Sequence, residues 1–317
     1  MQNQTILFEY ILYGFSDLPS FQLPLFLTFL LIYLMTLAWN LLIILLTITD
    51  VHLHTPMYFF LGNLACLDMC CSSVIAPRML LDLYLQERRI SKSLCISQVF
   101  FFIFFAIIEV FLLATMSCDR YVAICHPLHY MHIMHWKLCV QLALGIWALG
   151  LIYALVHTLC ILRLTFCGSV TIHSFFCDLP QLFQLSCNDT FVNVLLIFIL
   201  GIVLGLGSLV VAFVPYITIF STVLKIPAKN TKCKAFSTCT SHLSVVLIFY
   251  GTLIFNYFRP NTSFNFSEDR LISVCYTLMT PLFNPLIYSL RNQELRSALQ
   301  RALHNINIIA DFIHTTK

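Results

Sequence analysis

Charged side chains are scarce in this chain. They make up 10% of it, against about 25% in a soluble domain. No stretch reads as a soluble domain, an internal repeat or a low-complexity tract. A transporter or channel would show an inverted repeat, glycine-broken helix pairs or charges lining a path; none is seen. Gly201, Gly205 and Gly207 cluster in one span only, which suits close helix packing. Asp, His and Cys are present, but no spacing among them suggests a metal site or a catalytic triad, so an enzyme is not expected. Met1 to Tyr10 has no basic region of the kind that opens a cleavable signal, so the first span is expected to insert itself. No cysteine follows Cys275, which leaves the tail without a lipidation site.

What is abundant is apolar. The chain is 60% hydrophobic with a mean hydropathy of +0.89, the composition of a protein that lives in lipid. A spanning helix needs about 20 apolar residues. Charge-free runs of that order cover 21–49, 138–162, 190–224, 235–258 and 271–290. Two more spans carry inner charges: 55–85 holds Asp68 and Arg78, and 94–118 holds Glu109. The expected fold is therefore an all-α membrane protein, a seven-helix bundle over 24–290. A tail of 1–23 precedes it. After 291, Leu295, Leu299, Ala302 and Leu303 set against Arg296, Gln300 and Arg301 form an amphipathic stretch suited to the inner membrane surface.

Seven spans put the termini on opposite sides. With the N-terminus outside, ten basic residues fall inside, six outside, and Arg78 within a span, in keeping with the positive-inside tendency. The net charge of +3 then reflects loops facing anionic lipid, not a nucleic-acid surface. Asn3 heads a glycosylation triplet on the outer tail; Asn188, Asn261 and Asn265 also head triplets but lie close to the membrane. Of fourteen cysteines, Cys95, Cys167, Cys177 and Cys187 fall at the outer face. Four cysteines allow three pairings, with a zinc site involving His173 as the rival. His126, His129, His132 and His135 cluster at an inner loop and read as loop chemistry.

Ionisable groups within a bilayer cost about 2.5–3.5 kcal/mol each on insertion scales and so avoid lipid. Asp68 and Glu109 lie in mid-span, with Asn40 and Asn284 at similar depth. They are expected to form one buried cluster, either a structural network or a water- or sodium-linked switch. At Pro285 the backbone lacks a donor, which kinks the helix and lets its inner half, with Tyr288, swing. The most informative segment is Met116–Tyr130. Asp119, Arg120 and Tyr121 close a long apolar helix there, and an ionised arginine held beside an acid at the lipid boundary makes sense if it can exchange partners.

Met116–Tyr130 resembles the end of the third helix of rhodopsin-like G-protein-coupled receptors. Its wording, with Ala123-Ile124-Cys125 and Pro127-Leu128-His129-Tyr130, resembles the olfactory receptor family. So do Leu53–Leu61, Lys234–Cys239 with Ser241-His242-Leu243, and Pro281–Asn292. The sequence departs from the family pattern at Trp39, Ser117-Cys118, Pro215 and Phe283. The resemblance implies a Cys95–Cys177 bond from the third helix to the second outer loop, with Cys167–Cys187 closing a hairpin inside that loop. It also favours glycosylation at Asn3 and a plasma-membrane receptor with its N-terminus outside. A small hydrophobic odorant would bind between the third, fifth, sixth and seventh helices. The implied walls are Phe102, Ile103, Ala106, Ile107, Leu200, Leu204, Leu253, Ile254, Tyr257, Val274 and Thr277, with Tyr250 below. Arg120 would leave Asp119 for Tyr216 and Tyr288, and the sixth helix, marked by Lys232 and Lys234, would swing outward. The cleft would admit a G protein of the olfactory stimulatory type that raises cyclic AMP. A receptor of the same fold for a non-odorant ligand is the nearest alternative.

Overall fold

The computed structural model describes residues 9–15, 21–85, 88–166, 171–225, 229–257 and 273–315. Five helices among them are long and apolar enough to cross a membrane: α1 (Gln22–Thr49), α2 (Pro56–Leu85), α3 (Lys92–Cys125), α4 (Trp136–Leu162) and α5 (Phe191–Lys225). The sixth and seventh expected spans are occupied by α6 (Lys229–Tyr257) and by a π-helical turn, Cys275–Met279, that runs into α7 (Thr280–Arg291). An amphipathic helix, α8 (Gln293–Thr315), follows at once. Helices dominate because a backbone surrounded by lipid must satisfy its own polar groups.

Local signals set the helix starts. Ser91 accepts the Leu94 amide at 3.3 Å at the head of α3. His135 Nδ1 accepts the Leu138 amide at 3.0 Å at the head of α4, the one role the structure gives that member of the inner histidine run. Arg78, read as an in-span charge, lies within α2 (Pro56–Leu85) and serves its C-terminal end. It pairs with Asp82 at 2.8 Å and donates to the Arg89 carbonyl at 2.6 Å.

The N-terminal tail holds structure that its composition does not announce. Strand β1 (Glu9–Leu12) pairs antiparallel with β2 (Arg89–Ser91), just before α3, and parallel with β3 (Thr171–Ile172) in the loop between α4 and α5. This three-stranded roof is pressed close. A Cβ at Gly14 would lie 2.9 Å from Phe175 Cβ and 3.1 Å from its Cα, so only glycine fits there. Beneath it, Phe175 and Phe176 are buried; Phe175 stacks on Phe15 and Phe176 meets Phe102 edge-on. Cys95 and Cys177 are disulfide-bonded, as the resemblance implied. Cys187 is also in a disulfide; its expected partner Cys167, like Asn3, Asn261 and Asn265, lies outside the described residues. The Phe166–Ser186 bridge gives that loop its hairpin.

Candidate functional site

The implied pocket residues divide by environment. Phe102, Ile103, Tyr250 and Thr277 are buried, while Ala106, Leu200, Leu204, Leu253 and Val274 are partly so. Phe102 packs edge-on against Phe176 and lies beside Tyr276, under the loop plug. Tyr250 donates to the Val110 carbonyl at 3.2 Å and forms a floor with Phe213. Ile107 turns towards α4, where a Cβ at Gly150 would meet its Cγ2 at 3.1 Å. Ile254 is 46% exposed. The side chain of Tyr257 is outside the described residues.

Below the pocket the expected polar cluster assembles in large part. Asn284 Nδ2 donates to Asp68 Oδ1 at 3.0 Å, Asp68 Oδ2 at 3.2 Å and Glu109 Oε1 at 3.2 Å. One amide thus ties α7 to α2 and α3. Asn40 stands apart from the acids. Its Nδ2 donates to the Pro281 carbonyl at 3.0 Å and to Thr36 O at 2.9 Å. That carbonyl lies four residues before Pro285, which has no N–H to offer it. Asn40 therefore satisfies the group that the kink releases, a pairing invisible in the sequence because it spans most of the chain.

At the inner end Arg120 is bound to Asp119, Nη2 to Oδ2 at 2.9 Å. The other oxygen of Asp119 accepts the Tyr130 hydroxyl at 2.8 Å. Burial first, and the Asp119 charge next, push the Tyr130 phenol above its ordinary pKa, so it stays a donor at any physiological pH. Arg120 Nε is enclosed without a hydrogen-bond partner, and so is the Tyr288 hydroxyl. Tyr216, the third member of the expected exchange, is hydrogen-bonded to His242 Nδ1, whose ring also lies against Tyr288, 6.2 Å between centroids. Tyr121 turns outward to His126 Nε2 at 3.3 Å. Tyr130 and His242 were not singled out from the sequence, though both sit inside the quoted motifs.

Two anchors hold the inner face. Tyr58 donates to Asn292 Oδ1 at 3.1 Å and Glu294 Oε2 at 2.8 Å, which fixes the α7–α8 corner to α2. Asp50 binds Arg301 of α8 at 2.6 Å. Burial would raise the Asp50 carboxyl, but the bonds from Arg301 and His52 outweigh it and hold the pKa below the usual value. Lys232 Nζ donates to the Leu224 carbonyl at 3.0 Å, a cation on the last turn of α5 where the helix dipole favours one. The side chain of Lys234 is outside the described residues. No group of three or more His, Cys, Asp or Glu that could hold a metal occurs among the described residues.

Comparison with known proteins agrees with this layout. The olfactory receptor family matches residues 29–306. Olfactory receptor 1G1 of Gorilla gorilla gorilla is 49% identical over 302 residues, 95% of this chain and 96% of that protein. Olfactory receptor 7A40 of Mus musculus is 48% identical over 96% of this chain and 98% of its own length. Olfactory receptor 5A1 of Homo sapiens is 44% identical, covering 97% and 98% respectively.

Proposed function

The chain belongs to the olfactory receptor family, a family of multi-pass membrane receptors and not of enzymes, and we propose that it converts odorant binding into activation of an olfactory stimulatory G protein at the plasma membrane, N-terminus outside. The inner-face arrangement carries this reading. Arg120 is held by one acid, its Nε has no hydrogen-bond partner, and Tyr288 nearby has a hydroxyl to offer. Such an arrangement gives Arg120 a second set of partners to move to, and a ligand can bias the exchange only by binding one state better than the other. In the active state Arg120 leaves Asp119, which keeps the Tyr130 hydroxyl, for Tyr288 and for Tyr216, which gives up His242. Lys232 leaves the end of α5 as α6, with Lys234, moves outward. Tyr121 and the opened cleft then meet the G-protein α-subunit.

The ligand lies among Phe102, Ile103, Ala106, Leu200, Leu204 and Tyr250, with Ile107, Leu253, Ile254, Tyr257, Val274 and Thr277 completing the set. Walls this apolar suit a small hydrophobic volatile. The test is cyclic AMP accumulation against an odorant panel in cells given the olfactory stimulatory α-subunit. The expected result is a dose-dependent rise that vanishes when an inhibitory α-subunit replaces it. A response that persists after that exchange contradicts the coupling proposed.

Sodium at Asp68 and Glu109 belongs to the same proposal. Two carboxylates sharing a buried site resist ionising together unless a cation or protons intervene. The donor set fits a hard cation, which prefers oxygen, and turning the Asn284 amide over would add its oxygen to those of the two carboxyl groups. Replacing sodium by choline in the medium is expected to raise basal and agonist-driven signalling in the wild type. Asp68→Asn should remove that dependence; an unchanged sodium response in the variant excludes the site.

A further inference from the structure

α7 ends at Arg291 and α8 begins at Gln293, so Asn292 alone makes the corner between them. Its side chain caps α8. Oδ1 accepts the Glu294 amide at 2.9 Å and the Leu295 amide at 3.3 Å, as asparagine commonly does at a helix start. Its own backbone amide donates back to the Tyr288 carbonyl at 2.9 Å. Asn292 is thus joined to both helices, one turn beyond Tyr288. The same Oδ1 receives the Tyr58 hydroxyl at 3.1 Å, whose proton it shares with Glu294 Oε2 at 2.8 Å. Tyr58 and Asn292 are both buried, where the low dielectric strengthens a hydrogen bond, and a carboxylate acceptor strengthens it further.

Side chains of α2 therefore hold α7 at two levels. Asp68 accepts the side-chain amide of Asn284, next to Pro285, and Tyr58 grips the far end at Asn292. The kink at Pro285 and the Tyr288 ring lie between these ties. Tyr288 is 1% exposed, and its hydroxyl is enclosed without a hydrogen-bond partner. With the first tie fixed, the segment after Pro285 can pivot only if its far end comes free. Carrying Tyr288 to a new partner therefore breaks the bond from Tyr58 to Asn292.

We infer that Tyr58 restrains activation: its hydroxyl holds the α7–α8 corner, and through it Tyr288, in the resting position. Tyr58 is a positioning residue that acts on Tyr288 by way of Asn292. This rests on the receptor reading and adds to it the contact that sets the basal level of signalling.

Two measurements test it. Tyr58→Phe keeps the buried ring and removes only the hydroxyl. A hydrogen bond to a charged group is worth about tenfold or more in an equilibrium, so basal cyclic AMP at matched surface level should rise at least about fivefold. A merely structural loss would lower signalling instead. Tyr33→Phe makes the same chemical change where Tyr33 meets Ser73 at 3.0 Å, between α1 and α2. It should leave the basal level within about twofold of wild type. Adding Arg120→Ala to Tyr58→Phe should bring the basal level back to wild type or below. A Tyr58→Phe basal level no higher than wild type overturns the restraint, and a rise that survives Arg120→Ala overturns its action through the switch.

The second arm needs neither odorant nor G protein. Cys239 on α6 is fully buried and packs with Tyr216 and Ile219; the proposed swing of α6 uncovers it. Membranes are treated with a small methanethiosulfonate reagent, and the rate at Cys239 is the difference from a matched Cys239→Ser variant. Thiolate forms readily only where water reaches it, so Cys239 should label several-fold faster in Tyr58→Phe than in the wild type. Cys71 is buried on α2, beyond Asp68 from the corner. Measured likewise against Cys71→Ser, it should keep its wild-type rate. An unchanged rate at Cys239 overturns the restraint, and so does an equal gain at Cys71, which would mean general loosening. A wild type silent to every odorant counts against the receptor reading, and the labelling arm still decides the restraint.

Discussion

Cys177→Ser is expected to remove nearly all of this protein from the cell surface. The Cys95–Cys177 bond joins residues 82 apart. In the chain-entropy picture, releasing a loop of that length costs about 4.5 kcal/mol, much of the 5–15 kcal/mol by which folded proteins are typically stable. Both sulfurs are fully buried, so the variant also leaves an uncompensated pair of polar groups under the roof. The neighbouring contacts depend on the same residues. Gln98 accepts the Cys177 amide at 2.9 Å and donates to the Val74 carbonyl at 3.1 Å, which ties the loop to both α2 and α3. Cys95→Ser should behave alike, and the double variant no worse than either single one, since one bond cannot be lost twice. Surface labelling of an N-terminal tag, set against total protein, gives the answer. A single variant at wild-type surface level would mean that the roof stands without the bond.

The second large effect is expected at Asn284. Its single amide supplies all three hydrogen bonds given to Asp68 and Glu109 from α7, in a place where both acids are buried. Removing one partner of a buried hydrogen-bonded group costs about 1–3 kcal/mol, and more where the group left behind is charged, because that group stays buried without it. Asn284→Ala should therefore cut surface expression several-fold and leave the remainder poorly responsive. Adding Asp68→Asn should recover much of the surface level, because an amide again faces Glu109 and one acid is gone. A double variant as poor as Asn284→Ala alone would show that the loss comes from packing around Pro285 and not from the acids.

The helices were legible because lipid makes one demand along the whole span. The first run, expected over 21–49, is α1 at Gln22–Thr49, and a chain with so few charges leaves little choice elsewhere. The roof was not legible. Its strands are four, three and two residues long, too short for alternation to register, and they join segments some 160 residues apart in sequence. The polar cluster was read from depth alone, which brought Asp68, Glu109 and Asn284 together. Depth could not tell that Asn40 would serve the carbonyl freed by Pro285. Arg120 and Asp119 announced themselves as charges at a membrane boundary. Tyr130 and His242 did not, since a tyrosine in a loop and a histidine in a helix each have many bland uses. Their roles depend on which partner the fold brings within 3 Å.

The most direct test is to compare wild type and Arg120→Ala, matched for surface level, for cyclic AMP produced by an odorant that activates the wild type. Arg120 is the group that must change partners, so the variant should bind the odorant but raise no cyclic AMP, a loss of at least about tenfold in the maximal response. A variant that signals as strongly as the wild type would contradict the switch at Asp119 and Arg120.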